Sequence, residues 1–198
     1  MADRIGFAMV EPHYLTGIIT AEFYDQYPAD KEVLGDILEN GRFVKAGIKT
    51  DSETGKSETV VTDGTNGFGE WYMIYNEEVH YDERETRHKD FAMNANDYYT
   101  GTAVPRCIKI PVGDRFTTNA IPAADAVNSV DKINALTNKS KVALASYTIG
   151  NLLTVGTNGY LTTGTMDDEI VFKVIPDFRG GMATTPDGEA AVKVIRIK

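Results

Sequence analysis

Short β-prone runs broken by glycine-rich turns set the pattern of this chain. Leu152-Leu153-Thr154-Val155 and Tyr160-Leu161-Thr162-Thr163 flank Gly156-Thr157-Asn158-Gly159, where the Asn-Gly pair supplies the positive φ angles that reverse a chain between strands. Asp36-Ile37-Leu38, Glu39-Asn40-Gly41 and Arg42-Phe43-Val44 repeat the arrangement and predict a second hairpin. Further strands are predicted over 59–62, 70–75, 106–110, 142–149, 169–175 and 191–197. In the last of these, β-branched residues fall on both faces, which suits a strand covered on both sides or one at a barrel seam. In 70–75, Trp71 and Met73 share one face while Tyr72 and Ile74 share the other, so core packing is expected on both.

Helical patterning is thin. Val127, Val130 and Ile133 recur every three residues within 122–136, and 31–38 is a second short candidate. The class is therefore mainly β: a β-barrel or β-sandwich built from hairpins, with one or two short helices, arranged as one body or as two β lobes. Gly35-Asp36-Ile37-Leu38, Gly150-Asn151-Leu152-Leu153 and, more loosely, Gly113-Asp114-Arg115-Phe116 resemble one another. Gly-Asp or Gly-Asn before an apolar residue is a common way for a turn to enter a strand, so no solenoid is inferred. Residues 1–30 form an aromatic amino-terminal segment holding Pro12, Tyr14, Phe23, Tyr24, Tyr27 and Pro28, which either folds on the body or extends toward a neighbouring subunit. Residues 31–198 form the β-rich body, and a compositional change near 90–104 is the one place for a lobe boundary.

The 198 residues are enough for an unstapled core, and 42% hydrophobic with 25% charged residues is a globular composition. Against 20 Lys and Arg stand 29 Asp and Glu, a formal net charge of -9 that repels phosphate backbones and anionic lipid. Neither nucleic acid nor membrane is expected as a partner. A lone cysteine, Cys107, excludes an internal disulfide framework. The amino end carries no apolar run of a secretory signal, and the longest apolar stretches fall far short of the roughly 20 residues that span a bilayer.

Reaction chemistry is not written in the motifs. Between Glu77 and His88, two imidazoles and five carboxylates crowd together, but interleaved acids and bases read as a self-neutralising solvated surface. Gly64-Thr65-Asn66-Gly67-Phe68-Gly69 lacks the Lys-Ser/Thr ending of a phosphate loop and reads as a loop before an aromatic strand. Cys107 has Ile108 and Ile110 as strand neighbours and reads as a buried hydrophobe, not a nucleophile. No serine sits in a nucleophile elbow, and His13 reads as a surface or hydrogen-bonded residue. No catalytic, metal-ligating or cofactor-binding residue is assigned, no cofactor is expected, and the chain is read as a non-enzyme.

One resemblance goes further. The run Gly35-Asp36-Ile37-Leu38-Glu39-Asn40-Gly41-Arg42-Phe43, then Gly69 to Glu77 with Tyr81 to Arg84 and Lys89-Asp90-Phe91, then Pro105-Arg106 with Gly113 to Asn119, resembles small virion proteins of tailed bacteriophages. The closing pattern from Gly150 to Leu161, followed by Phe172-Lys173-Val174 and a final strand, is similar as well. The resemblance covers about residues 33 to 197 and implies a head decoration, or cement, protein on the outside of the capsid shell. It implies the major capsid protein and copies of this chain as partners, and virion assembly in the host cytoplasm. Two alternatives stand beside it: a phage tail or baseplate structural protein, and a β-sandwich carbohydrate-binding module stacking sugars on Trp71 and tyrosines.

Overall fold

A computed structural model describes residues 10–14, 29–34, 37–75, 92–94, 105–121, 147–184 and 190–198. Its regular elements are β1 (Val10–Tyr14), α1 (Lys31–Leu34), β2 (Ile37–Glu39), β3 (Phe43–Thr50), β4 (Ser57–Thr62), β5 (Phe68–Ile74), β6 (Ala92–Asn94), β7 (Cys107–Lys109), β8 (Arg115–Thr118), β9 (Leu152–Val155), β10 (Leu161–Thr163), β11 (Phe172–Ile175) and β12 (Val192–Arg196). The fold is mainly β, as the turn-punctuated pattern predicts. A six-stranded antiparallel sheet runs β1-β8-β12-β11-β9-β10, a four-stranded antiparallel sheet runs β4-β3-β5-β7, and β2 pairs with β6.

The two large sheets share one core, which makes the body a sandwich. Phe43, Met73 and Ile108 come from the four-stranded sheet, and Phe116, Leu153, Leu161, Phe172, Val174, Val192 and Val194 from the six-stranded one. At its centre Phe172 meets Phe43 at 5.5 Å and Phe116 at 5.7 Å between ring centroids, both in tilted or edge geometries that suit the ring quadrupole. The four-stranded sheet is buried on its other side too, where Val44, Ala46, Val61, Tyr72, Ile74 and Cys107 pack with Ala29, Leu34 and Leu38. The period of two in strand geometry makes this layering legible in β5: Met73 enters one core, and Tyr72 and Ile74 enter the other.

The hairpin predicted at Asn158-Gly159 forms, with Leu161 opposite Val155 and Thr163 opposite Leu153. Gly159 takes φ +81, and a Cβ there would lie 2.5 Å from the Phe43 carbonyl oxygen. Only glycine lets this turn press against β3, where its carbonyl accepts the Phe43 amide at 2.6 Å. The second predicted hairpin is corrected. Asn40-Gly41 does turn, with Gly41 at φ 84, but its arms do not pair: β2 pairs with β6, and β3 with β4 and β5. Hydrogen bonds from Gly41 N–H to the Ile74 carbonyl and from Ile74 N–H to the Arg42 carbonyl carry the chain into the four-stranded sheet instead.

Other boundaries move for local reasons. Helix extends over Lys31–Leu34 only, and β2 takes Ile37–Glu39, so 31–38 is one turn followed by a strand. The strand expected over 142–149 is not present at 147–149, where the chain enters a turn closed by Asn151; 142–146 lie outside the described residues. The strand expected from Glu169 starts at Phe172. In β12, Val192 and Val194 are buried while Lys193 and Ile195 are half-buried, so it is covered on one face and not both. Gly113 (φ 98) and Gly150 (φ 96) open turns ahead of β8 and β9, which fits the turn-entry reading of the shared Gly-Asp and Gly-Asn motif. The helix expected over 122–136 and most of the 90–104 stretch lie outside the described residues. Within the amino-terminal segment, Val10–Tyr14 pairs with β8 at the edge of the larger sheet.

Candidate interaction surface

Three polar or exposed features stand out from this sandwich. The first is a seam between the sheets. Lys45, which follows Val44 in β3 and is buried at 7% exposure, sends Nζ to both carboxylate oxygens of Glu169 at 2.8 Å. Trp71 donates its Nε1–H to Glu169 Oε2 at 3.1 Å, and the Lys45 ammonium sits 4.8 Å from the indole centroid. Gly64 lies against the same indole so closely that a Cβ there would strike the ring. Nearby, Arg196 donates Nη1–H to the Ile110 carbonyl, and Lys109 pairs with Glu70 at 2.8 Å. Burial lowers the Arg196 guanidinium from its ordinary range, opposed by the charges of Glu70, Asp114 and Glu169. The loop 64–69 therefore seats an aromatic side chain, and Trp71 spends its N–H and ring on partners within the chain.

A second feature is a buried node. Tyr160 donates its hydroxyl to Glu39 Oε2 at 2.9 Å, Arg42 donates Nη1–H to the Leu34 carbonyl at 2.8 Å, and the Arg42 guanidinium lies 5.9 Å from the Tyr160 ring centroid. These contacts bind the turn after β2 to the hairpin between β9 and β10. Polar groups withdrawn from water this way specify register because an unpaired partner costs about 1–3 kcal/mol. The Tyr160 hydroxyl and Arg42 Nη1 are paired in this way, while Arg42 Nε is buried with no hydrogen-bond partner among the described residues.

The third feature is a loop that displays hydrophobic surface. After β11, Asp177 Oδ1 accepts the Arg179 amide at 2.8 Å and the Gly181 amide at 3.1 Å, and the Asp177 amide donates to the Gly181 carbonyl at 2.9 Å. This closed turn holds Phe178 outward at 85% exposure, with the Arg179 guanidinium 4.9 Å from its ring centroid and Met182 exposed just past the turn. A phenyl ring so exposed gains nothing for the fold by burial, and the turn has already lost the backbone freedom that binding would otherwise cost. Nothing in the hydrophobic pattern of Asp177-Phe178-Arg179-Gly180-Gly181 marks Phe178 as outward-facing.

A cleft of about 470 Å³ opens beside β9 and β10, lined by Tyr147, Gly150, Asn151, Leu152, Thr163 and Gly164. Its one titratable lining side chain is Tyr147. Cys107 is fully buried in β7, and burial pushes its thiol well above the ordinary range, which removes the thiolate a nucleophile needs. The run from Glu77 to His88 lies outside the described residues, as do Phe23, Tyr24 and Tyr27, while His13 and Tyr14 belong to β1. No cluster of three or more potential metal-ligating side chains occurs among the described residues. No helix among them is long and apolar enough to cross a membrane. No protein-family model, curated protein or solved structure matches the chain.

Proposed function

We propose that the chain is a structural protein of a tailed-bacteriophage virion, seated on the outer surface of the head shell as a decoration protein. The observation that carries the reading toward a protein partner is the preorganised loop presenting Phe178 at 85% exposure. Aromatic anchors held rigid at a surface concentrate binding energy in protein interfaces. The run of motifs from Gly35 to Asn119 supplies the phage assignment. The mechanism is linkage: a ligand that binds the assembled shell and not its free subunits stabilises the shell, and many copies add their effects. A formal net charge of -9 keeps a many-copy surface protein soluble.

The test is co-sedimentation of the purified protein with shells built from the cognate major capsid protein. Binding that saturates at a fixed number of copies per shell, and that weakens with Phe178→Ser while the melting temperature holds, is expected. Absence of binding at every salt concentration overturns the head assignment. Labelled protein found by electron microscopy on tails moves it to the tail or baseplate.

A further inference from the structure

The alternation that turns Phe116, Phe172, Val174, Val192 and Val194 into the core turns their neighbours to the opposite face of the six-stranded sheet. Register aligns those neighbours in two rows. Arg115, Ile195, Lys173 and Leu152 lie side by side across β8, β12, β11 and β9, and Thr117, Lys193 and Ile175 form the next row. Lys173 and Arg115 are exposed, and Lys193, Ile175, Ile195 and Leu152 are half-buried.

The charge on this face runs against that of the chain. With a formal net charge of -9, an average surface should be acidic, yet β8, β9, β11 and β12 contain no Asp or Glu. The acids with described side chains lie in loops or in the other two sheets, and register places Glu11 of edge strand β1 beside Thr117. Among the described residues, Lys173 and Lys193 have no carboxylate partner. Two lysines interleaved with aliphatic side chains on one sheet face are the complement of a protein surface bearing carboxylates around apolar contacts. The aliphatic spacing does not suit bases, which stack on aromatic rings, and the net charge opposes a phosphate polymer.

We propose that the outer face of the six-stranded sheet docks an acidic protein surface through Lys173 and Lys193, with Ile175 and Ile195 as its apolar contacts. The Phe178 loop follows β11 directly along the chain. The identity of the partner as the head shell rests on the function proposed above; the chemistry of the face does not.

The experiment compares the full chain with Lys173→Glu, Lys193→Glu and the double variant, and with Lys56→Glu in the exposed β3–β4 turn as a control. Each is measured for shell binding against salt and, in a separate arm, for NMR shifts on titration with poly-L-glutamate. We expect the double variant to bind shells at least tenfold more weakly with a flatter salt dependence, and Lys56→Glu to bind within twofold of the parent. Poly-L-glutamate should shift the amides of β11 and β12 in the parent and not in the double variant. Should charge reversal lower the melting temperature, Lys173→Gln with Lys193→Gln carries the comparison. If the parent binds shells and the double variant binds as well, the docking face is wrong and the head assignment stands. If the parent ignores shells, the head assignment falls, and the titration decides the face: shifts confined to other elements overturn it. Tighter binding of duplex DNA or anionic phosphatidylglycerol vesicles than of poly-L-glutamate at this face also overturns it.

Discussion

Phe172→Ala tests whether the two sheets share a single core. Phe172 is fully buried and is the ring that touches both Phe43 of the four-stranded sheet and Phe116 of its own. An aromatic side chain buries roughly 150–250 Å², which at about 25 cal/mol per Å² corresponds to roughly 4–6 kcal/mol of transfer free energy. Alanine keeps part of that and the site relaxes in part, so the loss should fall at about 3–5 kcal/mol. For a chain of this size each kcal/mol moves the melting temperature by about 2–4 °C, so a drop of roughly 6–20 °C is expected by calorimetry. A cycle with Phe43→Leu sharpens the result, because rings in contact across the sheets should couple by about 0.5–1.5 kcal/mol. A loss under about 1 kcal/mol, or additivity within about 0.3 kcal/mol, would refute the shared core.

Three other expectations are independent of it. Gly150→Ala and Gly159→Ala both force alanine to positive φ, costing about 1–2 kcal/mol, but only at Gly159 does the new Cβ also meet a backbone oxygen. Thermal melts should therefore show Gly159→Ala as clearly the more damaging, and the reverse order would contradict the packing of that turn on β3. Cys107 should resist alkylation by iodoacetamide in the native protein and react only as urea unfolds it, since burial raises its thiol pKa; rapid native labelling would contradict its placement. Asp51 has its pKa lowered chiefly by the Glu53 amide, with Thr54 contributing, so the turn's share of stability is complete above the ordinary carboxylate range and is lost as pH falls through the lowered value. An NMR titration midpoint for Asp51 at or above that of a free aspartate would contradict the turn geometry.

Much of this fold could be read from the sequence because its signals are local. Asn158-Gly159 demands a tight turn whatever surrounds it, and the alternation in Trp71-Tyr72-Met73-Ile74 gives a strand apolar on both sides, which is how β5 sits between its two cores. Asn40-Gly41 carries the same local signal, yet its arms separate, because strand partners are chosen by long-range packing and Ile74 takes the hydrogen bonds that a hairpin would use. Layering was equally hidden: Lys45 reads as a surface lysine, and only the approach of Glu169 and Trp71 makes its burial tolerable. The outward face of the larger sheet was present as Lys-Val-Ile alternation in two distant segments, but their adjacency depends on the antiparallel register of β11 with β12. Trp71, which reads from its strand as a core residue, donates its N–H to Glu169, 98 residues away, and packs its ring against Gly64, contacts that could not be read from local sequence.

The place of β12 in the larger sheet has a consequence for biosynthesis. Val192–Arg196 lies between β8 and β11, hydrogen-bonded to both, and so occupies an interior position in a sheet whose other strands precede it in the sequence. A ribosome delivers those earlier strands first, and until residue 196 clears the exit tunnel β8 and β11 each keep an unfilled edge facing the gap. The sandwich therefore closes only once β12 has emerged, through contacts of long sequence separation that make closure slow. Premature termination before β12 leaves a nascent product with two open strand edges and an unsealed core, the kind of species that chaperones retain and proteases remove.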